Sequence, residues 1–311
     1  MGFIRSVNLL LLGLLVPLGQ VISAPTAEGE STILARDYRN YTDCSVAQRN
    51  KINRAFQDAA VMARQVAQNH GSQTFTSSPA YKHYFRDDQH TIVGNMFAVI
   101  ARQWEPPAPN SHQSGAGQSV MLNQFKVSIT CQDAPICSGS GTKSLVITDL
   151  RPGNNTFIPR MRFCPQFFKP QEMSTSRNLD SLPYKLNPGR RDESWCKPGY
   201  KFRDFEVSGT TVIHEITHLD EAGLSAGLTR RRIEGQNFYS AGAEDIYTER
   251  GYSSDPPTAA RQLHKNWIEA LRTRPPRNPP PYPETVNAES YAASVTEWWF
   301  MSKCNLQEIS L

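Results

Sequence analysis

Between residues 45 and 69, apolar side chains return at near-helical spacing, at Val46, Ile52, Phe56, Ala60 and Val66. Positions three or four apart share one helix face, so an amphipathic helix is predicted here. A second helical stretch is predicted over 78–103, polar at first and apolar from Ile92 to Trp104. The segment 105–118, rich in Pro, Ser, Gly and Gln, reads as a loop. Over 125–168 the texture changes. Val127-Ser-Ile129, Leu145-Val-Ile147 and the stretch from Ile158 to Phe163 are β-prone, separated by Gly/Ser and Pro-Gly-Asn-Asn turns. They predict a small antiparallel sheet. After a polar, proline-bearing stretch (169–200), helical patterning returns at 209–220, 257–272 and 286–303. Six prolines within 274–283 impose an extended connection. Helices, then strands, then helices, with no internal repeat, indicate a mostly helical α+β fold rather than a doubly wound sheet.

The N-terminus changes how the rest is read. Arg5 precedes a short apolar run over 9–16, and the small residues Ser23 and Ala24 follow. That order describes a secretory signal peptide over residues 1–24. Residues 25–43 read as a short leader or pro-segment, with a processing point near Arg36, and 44–311 as one domain large enough to bury a proper core. No later apolar run approaches the roughly 18 residues of a membrane span. In an exported chain the six cysteines, Cys44, Cys131, Cys137, Cys164, Cys196 and Cys304, predict up to three disulfides whose pairing sequence cannot choose. Asn40-Tyr41-Thr42 and Asn154-Asn155-Thr156 are glycosylation sequons. The formal net charge of +4 is scattered; its densest run, Arg230-Arg231-Arg232, reads as a solvated turn, and no nucleic-acid partner is expected. The expectation is a secreted, extracellular, monomeric glycoprotein.

His214-Glu215-Ile216-Thr217-His218 carries the chemistry. On a helix, His218 falls about 40° round from His214, so both imidazoles can reach one ion, while Val212, Ile216 and Leu219 lie on the far side. Neutral imidazoles hold Zn²⁺ without cancelling its charge, and Glu215 beside them can take a proton from water. A catalytic zinc needs a third protein ligand. No third histidine follows six residues on, and Asp220 and Glu221 sit too close along the predicted helix to return to the ion. The acidic cluster Glu244, Asp245 and Glu249, with Tyr247 among it, follows a glycine-bearing loop and has room to reach the site. A phenol there could donate to the oxyanion formed when water attacks a carbonyl.

These segments resemble the deuterolysin group of fungal metalloendopeptidases, the aspzincins. Thr211-Val-Ile-His-Glu-Ile-Thr-His218 is close to that family's zinc helix, and Val286-Asn-Ala-Glu-Ser-Tyr-Ala-Ala293 resembles its Asn-Ala-Asp-Ser-Tyr segment. Cys44 ahead of a long helix and Phe163-Cys-Pro-Gln-Phe167 also look familial. The resemblance implies a zincin-like fold, one zinc ion, and a third ligand from a Gly-Thr-x-Asp-x-x-Tyr-Gly segment whose tyrosine assists catalysis. The nearest counterpart is Gly242-Ala-Glu-Asp245-Ile-Tyr247, with Ala243 in place of threonine and Asp245 two residues before the tyrosine. Glu244 has the family's spacing to Tyr247 but not its residue type, and Glu249 with Tyr252 is a further alternative. Asp245 is favoured as ligand and Tyr247 as the assisting phenol. Some members select lysine after the cut through acids near the Asn-Ala-Asp segment; Glu289 keeps one such carboxylate, but Ala292 stands where a second is expected. A related group of fungal zinc-binding surface antigens commonly replaces the motif's glutamate by arginine, whereas this chain has Glu215.

The expected function is a secreted zinc endopeptidase acting on protein or peptide substrates. The alternative is a secreted, non-catalytic zinc-binding or host-interacting antigen on the same fold. His264 reads as a partly buried structural histidine, and Tyr291, Trp298, Trp299 and Phe300 as a core stripe on the last helix.

Overall fold

The computed structural model describes residues 40–70, 74–102, 127–138, 146–149, 159–169, 176–190, 193–233, 237–246, 252–273 and 275–311. Residues 1–39, the loop 105–118, the sequon at Asn154, Tyr247 and Glu249 lie outside them.

The first helix, α1 (Val46–His70), buries the stripe Ile52, Phe56, Ala59, Ala63 and Val66. Ser45 starts it reciprocally: its hydroxyl accepts from Gln48 N, and the Gln48 side chain accepts from Ser45 N. The single helix expected over 78–103 is instead two, α2 (Pro79–Lys82) and α3 (His90–Ala101), joined through a 3₁₀ turn at Asp87–Gln89. Tyr84 and Phe85 are both buried at the break.

The sheet departs from the expected antiparallel arrangement. Its order is β1 (Asn40–Thr42), β2 (Ser128–Thr130), β4 (Arg160–Phe163), β3 (Val146–Asp149). The β1–β2 and β2–β4 pairs are parallel and the β3–β4 pair is antiparallel, so the sheet is mixed. Local pattern suggested only the neighbouring strands of 125–168. The parallel pairs need long crossovers, and β1, three residues ahead of α1, has no alternation to announce it. Ile129 and Met161, in register on β2 and β4, are fully buried.

Helix α4 (Ser208–Thr217) packs against α1 and α7 (Ala288–Cys304), and touches β3. Gly209 permits the α1 crossing, since a Cβ there would lie 2.8 Å from Asp58 Cβ and 2.9 Å from Ala59 N. The helix expected over 209–220 ends at Thr217; Leu219 is extended, and Asp220 opens a separate helix, α5 (Asp220–Ala226). The short ladder β5 (Arg231–Arg232) with β6 (Tyr239–Ser240) follows, then α6 (Pro256–Ala270). Helix α7 is buried nearly all round, Tyr291 and Phe300 completely, which places the aromatic stripe in the core.

Three disulfides, Cys44–Cys131, Cys137–Cys164 and Cys196–Cys304, use all six cysteines. They tie α1 to the end of β2, the turn after β2 to the end of β4, and the 193–200 segment to the end of α7. Closing loops of such length restricts the unfolded chain by roughly 3–5 kcal/mol each. Among the described residues no helix is long and apolar enough to cross a membrane.

Candidate metal centre

Val212, Ile213 and Ile216 bury the apolar side of α4, which leaves His214 and His218 one turn apart on its other face. Their rings meet edge to face with centroids 4.9 Å apart. Each ring has its Nδ1 engaged by a group outside the trio. His218 Nδ1 lies 2.9 Å from the carbonyl oxygen of Ala243. A carbonyl only accepts, so Nδ1 carries the proton and the neutral ring keeps its lone pair on Nε2. His214 Nδ1 lies 3.1 Å from Oε2 of Glu289, near the start of α7.

Both Nε2 atoms face Asp245. Its Oδ1 lies 2.9 Å from His214 Nε2 and 3.5 Å from His218 Nε2, and the three ligand atoms fall within 4.8 Å of one another. Tetrahedral zinc ligands at about 2.0–2.1 Å stand roughly 3.3 Å apart, a value the two Asp245 separations of 2.9 and 3.5 Å bracket, and two imidazoles with one carboxylate are donor types such an ion takes. Carboxylate and carbonyl partners on the outer ring nitrogens are the usual companions of metal-binding histidines. Burial opposes a charged His214, yet Asp245 and Glu289 hold its pKa well above the ordinary imidazole value. Burial pushes the Glu289 carboxyl up, against the opposing pull of His214.

The break after Thr217 is what admits the third side chain. Thr217 O, freed from helical pairing, accepts from Ala243 N at 2.7 Å. Glu244 then bridges to α7: its N–H donates to Val286 O at 2.7 Å, and its carbonyl accepts from Ala288 N at 3.0 Å. One short strand thus lies between the α4 end and the α7 start, carrying Asp245 to the histidines beside Glu289. Gly242 makes this passage possible, because a Cβ there would stand 1.9 Å from His218 O.

The other acids are placed differently. Glu244 turns to Arg231, with Nε to Oε1 at 2.9 Å. Asp220, now on α5 rather than the motif helix, accepts from Arg230 and from Ala241 N at 2.8 Å, steadying the same loop. The arginine run is solvated at Arg230 and Arg232, but Arg231, on β5, turns inward and also donates to Gly242 O. His264 bonds Glu284. Sites for Tyr247 and Glu249 fall outside the described residues.

Glu215 is buried beside the trio, and its Oε2 accepts from the hydroxyl of Thr148 at 2.6 Å. Three contributors had no local signal in sequence: Thr148, the Ala243 carbonyl, and Glu289 as the partner of His214. Glu206, just ahead of α4, is a fourth, its carboxyl pushed up to about 8 by burial and by Glu289 and Asp255 nearby. No protein-family model matches the chain, and no curated protein sequence matches it.

Proposed function

We propose that this protein is a secreted zinc-dependent endopeptidase that hydrolyses peptide bonds with a metal-activated water. The observation that carries the reading is the convergence of His214 Nε2, His218 Nε2 and Asp245 Oδ1, with both outer ring nitrogens already engaged and Glu215 adjacent. Two neutral ligands and one carboxylate would leave a single Zn²⁺ ion with net positive charge. Zinc bound there supplies Lewis acidity, polarising a carbonyl and rendering a water acidic near neutral pH. Glu215 is the base: it takes a proton from the attacking water and returns it to the departing amine nitrogen as the C–N bond breaks. Tyr247, two residues past Asp245, is the proposed donor to the carbonyl oxygen that gathers negative charge. Glu289 and the Ala243 carbonyl hold the two imidazoles in orientation.

The resemblance of the α4 and α7 segments to the aspzincins supports the same reading, and the three disulfides fit an extracellular protein. The test is metal analysis of purified protein together with cleavage of casein by wild type and Glu215→Gln. One zinc per chain and chelator-sensitive cleavage, reduced at least about 1000-fold in the variant with zinc retained, is the expected result. Stoichiometric zinc without cleavage by the wild type would overturn the peptidase reading and leave a non-catalytic zinc-binding protein in its place.

A further inference from the structure

We infer that Thr148 is a positioning residue for Glu215, an inference that rests on the peptidase reading of that glutamate. Thr148 is the third residue of β3, paired with Met161 of β4, at one edge of the mixed sheet. Its hydroxyl donates to Glu215 Oε2 at 2.6 Å, across 67 positions of sequence, and lies 3.4 Å from the Glu215 carbonyl oxygen. Glu215 itself is buried between α4 and this strand.

A glutamate side chain has three rotatable bonds, and a proton-accepting carboxylate must be aimed at the water it serves. The α-helix fixes only the direction in which Glu215 leaves the backbone. A hydroxyl bond to an ionised carboxylate is short and charge-assisted, so it also fixes how the far end is turned. With Oε2 held by Thr148, the remaining oxygen, Oε1, is the one that takes the proton. The sheet edge and the motif helix are thereby coupled at one side chain. Among the described residues Thr148 makes no hydrogen bond to His214, His218 or Asp245, so its effect falls on the base and not on metal retention.

The test compares Thr148→Val, which keeps the shape and removes the hydroxyl, with Thr148→Ser, which keeps the hydroxyl. In Thr148→Val, kcat on a fluorogenic peptide falls about 10- to 100-fold while KM and zinc affinity stay within about two-fold, and Thr148→Ser recovers most of the loss. A second readout needs no turnover. In zinc-free protein, nuclear magnetic resonance shows a slowly exchanging hydroxyl proton at Thr148 that disappears in Glu215→Ala. Wild-type turnover by Thr148→Val, a kcat loss matched by zinc loss, or a hydroxyl signal that survives Glu215→Ala overturns the inference. Absence of any cleavage by wild type instead defeats the peptidase reading alone, and the hydroxyl signal still decides whether Thr148 holds Glu215.

Discussion

Glu244 and Asp245 are adjacent acids with different partners, because side chains alternate along extended backbone. The bridge to Asn287 fixes which of them faces the histidines. In the proposed zinc site Asp245 is a direct donor, so Asp245→Ala should lower zinc affinity by more than the roughly 10- to 100-fold typical of outer partners. Glu289→Gln, losing the carboxylate on His214 Nδ1, falls within that range. Glu244→Gln retains zinc but leaves Arg231 without its ion pair, costing stability on the order of 1–3 kcal/mol. Competition with a chromophoric chelator ranks the three, and zinc loss in Glu244→Gln greater than in Asp245→Ala would reverse the assignment of the ligand. That His214, Glu215 and His218 stand together was legible in sequence because their spacing is local. Asp245 was favoured over Glu244 on the resemblance alone; what brings it to the histidines is pairing with a segment some forty positions away, which no local pattern shows.

At the level of elements, the decisive event is the stop after Thr217. The apolar and polar pattern of 209–220 runs on without a proline or a strong breaker, so sequence read one helix and placed Asp220 on it. Loop contacts override that pattern: Asp220 takes Ala241 N and Arg230, and Thr217 O takes Ala243 N. Two glycines let the chains approach this closely, Gly242 against His218 O and Gly223 against Ala241 O, each at 1.9 Å from an added Cβ. Both contacts are backbone to backbone and have no side chain to yield. Gly242→Ala therefore costs about 3 kcal/mol and displaces the Asp245 strand, lowering zinc affinity as well. Gly227→Ala is the control, with φ of +95° but open space around the added carbon. It costs about 1–2 kcal/mol in urea unfolding and leaves zinc affinity intact. A Gly242→Ala protein that binds zinc as wild type would show that the close passage does not position the ligand.

Across the whole molecule, sequence yielded the class, a mostly helical α+β fold with a small sheet, and the number of disulfides but not their pairing. It missed the parallel pairings and the helix crossings, which arise from contacts remote in sequence. Asp58 stands at one such crossing. It lies on α1 beneath Gly209 of α4, accepts from Leu179 N at 2.9 Å, and faces Arg54 at 3.4 Å. Burial raises its carboxyl from 3.8 to about 6; the Leu179 bond and Arg54 oppose the shift without cancelling it. Between those two values the folded protein binds more protons at Asp58 than the unfolded chain, so stability falls as pH rises. The contribution is fully present below pH 3.8 and is lost as pH passes 6. The shift corresponds to stability on the order of 2–3 kcal/mol. Asp58→Asn keeps an acceptor for Leu179 and cannot ionise. Its stability relative to wild type should accordingly rise by about that amount between pH 4 and pH 7 and then level off. Urea unfolding of both proteins in chelator, where zinc binding cannot contribute its own pH dependence, measures the difference. Parallel profiles over that interval would place the ionised Asp58 carboxylate at no cost in the fold, against its burial between two helices and the 176–190 segment.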